Sequence, residues 1–179
     1  MPGRGRERRE ERRAGNGFVQ YQMRQRLVSF GDDFWIEDQH GQRIFKVDGK
    51  ALRLRKTLEI EDDKGNKLAK LQERVAHIKD TMEVEDAHGN RLAMVKKALI
   101  SPLRDRWVVE IENGPKLDVK GNIVDHEYTF EDGDERVASV SKKWFRVADT
   151  YGVEIAADRD PLIVLAATVA IDLMTHEKR

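Results

Sequence analysis

Phe34-Trp35-Ile36-Glu37-Asp38-Gln39-His40-Gly41 is followed at an interval of 24 residues by Leu58-Glu59-Ile60-Glu61-Asp62-Asp63-Lys64-Gly65. The same interval then leads to Met82-Glu83-Val84-Glu85-Asp86-Ala87-His88-Gly89. Downstream of the glycines, Ile44/Leu68/Leu92 and Val47/Leu71/Val95 keep that spacing. Each copy is an apolar alternation, an acidic turn closed by glycine, and a second apolar alternation. That pattern predicts a β-hairpin, and three copies predict a mainly β chain.

The punctuation continues on both sides of the repeats. Gln25-Arg26-Leu27-Val28-Ser29-Phe30 reads as a strand, with order beginning near Phe18 and a turn at Gly31-Asp32-Asp33. Leu52-Arg53-Leu54-Arg55 alternates as a half-buried strand does, and Val75-Ala76-His77-Ile78 takes its place one unit later, so each unit is expected to hold two to three strands. After Lys97 the register weakens. Residues 101–106 read as a loop because Pro102 removes a ladder donor. Trp107–Ile111 reads as a strand closed by Asn113-Gly114-Pro115, and Lys120-Gly121-Asn122 as a turn. Glu127–Glu131, Asp132-Gly133-Asp134 and Arg136–Val140 form a further hairpin, with strands expected at Trp144–Val147 and Tyr151–Ile155. About twelve strands, most eight to twelve residues apart, indicate a sandwich or a barrel.

The C-terminus breaks the β pattern. Asp160 suits an N-cap and Pro161 the first helical position. The run from Leu162 to Met174 is then apolar nearly all round, with a possible solvent edge only near Asp172. A helix of about 161–175 reaches roughly 22 Å. A membrane crossing takes about twenty apolar residues, and Asp172 would be expensive in lipid. A helix hidden on every side in a water-soluble chain needs a shell, and the strands can supply it. The fold expected is therefore an antiparallel β-barrel of about twelve strands enclosing a hydrophobic C-terminal helix.

The chain has 179 residues, enough for one domain with a real core. Charged residues are 37% of it, yet the net charge is zero, which does not favour nucleic acid as a partner. Six arginines and three glutamates lie between Met1 and Arg13. Residues 1–17 are accordingly read as a disordered basic arm, and 18–179 as the single barrel domain. There is no cysteine, so disulfides and cysteine-based zinc sites are excluded. No apolar signal region opens the chain. The expected location is the cytoplasm, with peripheral membrane contact allowed.

Several further stretches resemble the tubby-like C-terminal superfamily, and within it the bacterial branch of the LURP-one-related proteins. They are Met23-Arg24-Gln25-Arg26-Leu27, Phe45-Lys46-Val47-Asp48-Gly49-Lys50, Lys96-Lys97-Ala98-Leu99-Ile100-Ser101-Pro102, Asp125-His126-Glu127-Tyr128, Lys142-Lys143-Trp144-Phe145-Arg146 and Asp149-Thr150-Tyr151-Gly152-Val153-Glu154-Ile155. The likeness runs from about Tyr21 to Met174 and implies a twelve-stranded barrel around a hydrophobic C-terminal helix. Tubby proteins bind phosphoinositides and phospholipid scramblases share the fold. No catalytic set is established for the branch, so the resemblance assigns no catalytic residue.

The candidate chemistry is sparse. The acidic turns lack the alternating oxygen ligands and distal glutamate of a calcium loop, and Asp, Asn and Gly are what a tight turn demands. The five histidines show no zinc spacing. His126, between Asp125 and Glu127, is the one polar cluster among them. No nucleophile elbow, P-loop or dinucleotide fingerprint is present. Neither an enzymatic activity nor a cofactor nor a metal is expected. Basic segments offer more: Lys96, Lys97, Arg104 and Arg106, then Lys142, Lys143 and Arg146, form the candidate anion-binding set, with Trp144 and Phe145 as interfacial aromatics. Arg53, Arg55 and Lys56 form a second patch. Strand alternation offers a plainer account, in which these cations coat the outer wall while Phe145 and Val147 point inward. The leading expectation is a non-catalytic barrel binding an anionic ligand such as a phospholipid headgroup or membrane surface. The alternative is a structural or protein-interaction module.

Overall fold

The computed structural model describes residues 17–24, 33–48, 57–73, 81–101, 104–145 and 150–176. Its strands are β1 (Phe18–Arg24), β2 (Phe34–Asp38), β3 (Arg43–Asp48), β4 (Thr57–Glu61), β5 (Lys67–Glu73) and β6 (Thr81–Asp86). They continue with β7 (Arg91–Ser101), β8 (Arg104–Ile111), β9 (Lys116–Asn122), β10 (Glu127–Asp132), β11 (Glu135–Ser141) and β12 (Thr150–Ala156). A 3-10 turn at Lys142–Trp144 follows β11, and one helix, α1 (Pro161–His176), ends the described chain. Each strand pairs antiparallel with its sequence neighbours, and β12 pairs with β1, which closes the barrel.

The repeat is exact in register. Phe34 faces Val47, Leu58 faces Leu71 and Met82 faces Val95. One bulge interrupts each hairpin at the same place, Ile36/Glu37, Ile60/Glu61 and Val84/Glu85. The turn glycines Gly41, Gly65 and Gly89 have φ of 77°, 83° and 84°, a left-handed conformation that side chains resist. The turn aspartate accepts from the backbone in every copy: Asp62 Oδ1 takes the N–H of Lys64 and of Asn66, at 2.9 and 2.8 Å. These carboxylates are spent on turn geometry.

Alternation sorts the wall. Leu58, Ile60 and Leu71 are fully buried inward. The outer wall is laced with cross-strand ion pairs, Lys67–Glu59, Lys70–Glu85, Lys96–Glu110 and Arg106–Asp118. Such pairs are individually weak, but together they account for a highly charged chain with no net charge. The helix fills the interior, with Leu165, Ala166, Ala167, Val169, Ala170 and Ile171 fully buried. It packs against β5, β6, β7 and β12, where the small inward residues Ala69 and Ala93 leave room for its backbone. Asp160 caps it by accepting from Leu162 N at 2.9 Å, as the Asp-Pro signal predicts. No helix among the described residues is long and apolar enough to cross a membrane.

Three local readings need correction. Ser101 and Arg104 belong to strands and pair with each other, so 101 and 104–106 are not the loop expected there. Lys120-Gly121-Asn122 is the end of β9, not a turn. Gly121 is there because a Cβ would lie 2.5 Å from the carbonyl oxygen of Glu127 on the next strand. The chain turns instead at 123–126. Trp144 does not open a strand: Lys142–Trp144 is a 3-10 turn capped by the Ser141 side chain. The expected strands at 25–30, 52–55 and 75–78 lie outside the described residues, as do the arm to residue 16, Val147 and the patch Arg53, Arg55 and Lys56.

Candidate functional site

The barrel has two unlike ends. One carries the short hairpin turns after β2, β4, β6, β8 and β10, together with the turn from β12 into α1. This hairpin end presents Asp38, Asp62, Asp63, Asp86, Asp134 and Asp158. The other end carries the connections after β1, β3, β5, β7, β9 and β11.

Among the described residues, the candidate cations do not form one cluster. Lys96 points outward from β7 and donates to Glu110 at 2.6 Å. Arg106, on β8, donates to Asp118 at 2.7 Å. Both are wall residues locked to a neighbouring strand. Lys97 shares the side of β7 that faces Trp107, and its ammonium lies 5.6 Å from the centre of that ring, within cation–π range. Lys142 and Lys143 sit in the 3-10 turn at the same end, after β11, four strands further round. Lys143 is exposed, with its ammonium 3.7 Å from Glu127. Arg104 is placed in β8, but its side chain and all of Arg146 lie outside the described residues. Lys97, Lys142 and Lys143 are therefore the candidate residues seen at the basic end.

Trp144 and Phe145 do not split between inside and outside as strand alternation predicts. Both lie on the outer face of β12 over Gly152, where an added Cβ would be 2.6 Å from Trp144 and 2.8 Å from Phe145. The missing side chain makes room for the two rings. Beside them the outward residues of β9, β10 and β11 form a surface groove of about 600 Å³, lined by Thr129, Ser139, Ser141, Glu127 and Trp144 among others. The same end carries Val124, the one exposed large apolar side chain among the described residues, at 49% exposure.

His126 is not part of a surface cluster with its sequence neighbours. Asp125 is held by Asn122, and Glu127 accepts from Ser141. The His126 ring is fully buried and its Nε2 lies 2.9 Å from Asp172 Oδ1, on the helix. Tyr151 donates to the other oxygen of Asp172 and stacks 4.4 Å from the His126 ring. Asp172 is 2% exposed, which corrects the solvent edge expected there. Burial first, and then the Asp172 charge, raise the Tyr151 and Tyr128 hydroxyls well above the ordinary phenol range. For Tyr128 a side-chain contact with Thr168 works in the opposite direction, though it falls short of good hydrogen-bond geometry. The cluster is sealed from solvent, so it ties the helix to the wall. The clue available in the sequence was Asp172 itself, because a lone carboxylate in an apolar helix must find partners.

The chain is similar to known proteins. The chain is 27% identical over 154 residues to the uncharacterized protein YxjI of Bacillus subtilis, covering 86% of this chain and 92% of that one. The X-ray structure of a protein from Arabidopsis thaliana superposes with a TM-score of 0.63 at 20% identity, over 92% of this chain and 93% of that one. At that identity the likeness speaks for the fold alone. A model of the LURP-one-related family matches residues 19–172. This chain belongs to the LURP-one-related family.

Proposed function

We propose that this barrel is a non-catalytic binding module whose basic end meets an anionic surface, with phospholipid headgroups as the ligand. The observation that carries this reading is the separation of charge between the two ends. The hairpin end is ringed by carboxylates, whereas Lys97, Lys142 and Lys143 stand at the other. Between β3 and β4 the sequence 49–56 holds four basic residues and no acidic one. On a chain of zero net charge, such a dipole orients one end toward an anionic layer. Val124 adds an apolar tip at the same end. Among the described residues the helix packs the interior.

Flotation with phosphatidylserine vesicles at two salt concentrations tests the reading. Binding by wild type should fall steeply with salt, because exposed charges are screened beyond about 8 Å at physiological ionic strength. Lys97/Lys142/Lys143→Glu should weaken it by tenfold or more, at about 1 kcal/mol for each basic residue near the surface. Lys96→Gln and Arg106→Gln, on the wall, should change little. Equal binding by wild type and the triple variant, or none by wild type at low salt, leaves the protein-interaction module as the better account.

A further inference from the structure

The groove on β9–β11 has a chemistry of its own. Its floor is Ser139 and Ser141, its far side Thr129 and Glu127, and its near wall the indole of Trp144. Ser139 is 7% exposed and its hydroxyl has no hydrogen-bond partner. A buried hydroxyl left unmatched costs about 1–3 kcal/mol, and such groups in native proteins call for a reason. Ser139 is one of the residues that line the groove. The Trp144 wall is held in place by its close approach to Gly152, so the platform is built before any ligand arrives.

Inside the groove each cation stands beside a carboxylate, which disfavours a small anion there, whereas the exposed Lys143 side chain also faces solvent at the barrel end. Lys120 is held by Glu131, and Lys143 lies beside Glu127. A phosphate entering here would have to break one pair or face the Glu127 carboxylate. A peptide strand has no edge to join, because every strand is paired within the closed barrel. The floor is too polar for a purely apolar guest. What remains matched is an uncharged polyhydroxylated molecule. Its hydroxyls can both donate to Glu127 and exchange hydrogen bonds with serine and threonine, while a ring face of C–H groups lies on the indole. We infer that the groove between β9, β10, β11 and Trp144 is a binding site for a neutral saccharide. It does not depend on the anionic-surface reading, since neither net charge nor vesicles enter into it.

Saturation-transfer NMR tests this with maltotriose, cellotriose and chitotriose at millimolar concentration. Wild type should transfer saturation to at least one of the three. Ser139→Ala should weaken that transfer several-fold while leaving Tm unchanged or higher, because it removes an unmatched buried hydroxyl. A residue with a merely structural role would not separate the two readouts in that direction. Trp144→Ala should abolish the transfer, and if that variant fails to fold, Ser139→Ala decides alone. No transfer from any of the three sugars overturns the inference, as does transfer unchanged in the folded variants. It is equally overturned if inorganic phosphate shifts the Trp144 indole N–H resonance while the sugars do not.

Discussion

The repeated hairpins β2 to β7 shape their turns through polar contacts a few residues apart, while the turn after β9 and strand β12 are tied to α1 by polar contacts that span the chain. Asp38, Asp62 and Asp86 each accept from backbone N–H groups two and four residues on. His126 meets Asp172 across 46 residues of sequence. The first kind of contact shapes a turn, and its loss is felt in that turn. The second kind closes the barrel on its core, and its loss is felt everywhere. Substitutions on the two sides should therefore differ in both size and reach.

The largest effect is expected inside the helix. Leu165 is fully buried at the centre of the barrel. Leu165→Asp would place an unpaired carboxylate there, a loss of several kcal/mol. Soluble expression should fail. A folded variant, or a stable soluble barrel after proteolysis beyond Asp160, would break the picture of a wall that needs its helix.

Asp172→Ala comes next. It removes the shared partner of His126 and Tyr151 and leaves both polar groups buried, so a loss of about 3 kcal/mol is expected. Urea unfolding measures it. A double-mutant cycle with His126→Ala should show strong non-additivity, because each single change already empties the same contact. Additive losses would mean that the cluster does not act as a unit.

This contrast also explains what was legible beforehand. Hairpin positions and bulge-bearing turns were readable because Gly65 and Asp62 solve a local problem with local chemistry. The helix was readable from Asp160-Pro161 and from an apolar run with no wet face. The partner of His126 was not readable, since nothing in residues 125–127 points to a helix 46 positions away. Gly121 misled for a related reason: its glycine answers a neighbouring strand, and only the register shows that neighbour. The candidate cations were found by type, but the pairing of Lys96 with Glu110 and of Arg106 with Asp118 depends on cross-strand placement. The sequence alone could not separate wall cations from end cations.

Alkaline titration isolates the buried side. Tyr128 and Tyr151 have folded-state values raised above the ordinary 10 by burial and by Asp172. Above that pH the unfolded chain releases phenolic protons that the folded chain keeps, so stability is complete below about 10 and falls as pH rises. Tm should drop through this range, and Tyr128→Phe should flatten the drop without touching the Asp172 contacts. An unchanged slope in the variant would move the cause elsewhere, with the lysines as the next suspects.

On the hairpin side, Gly65→Val forces a β-branched residue into φ of 83°. About 1–2 kcal/mol should be lost. The space around Gly65 is open, so the loss comes from the backbone alone, and Gly65→Asn, which tolerates that conformation, should recover most of it. Failure of asparagine to rescue would point to a contact and not to strain.

The smallest effect belongs to the turn aspartates. The Asn66 side chain, followed by the backbone N–H groups of Asn66 and Lys64, holds the Asp62 carboxyl below its usual value of 3.8. Asn90 does the same for Asp86. A carboxyl with a depressed folded-state value contributes stability above its unfolded value and gives it up as pH falls through the folded one. Asp62→Ala should thus lower Tm slightly at neutral pH, and the gap to wild type should close on acidification below about 4, where the unfolded carboxyl protonates. Both carboxylates are on the surface, so the gap stays small. Asp62 and Asp86 cap separate hairpins and share no partner, which makes their effects additive. A double variant losing much more than the two singles together would show that the hairpins communicate around the wall, and the division between a locally held side and a globally held side would have to be redrawn.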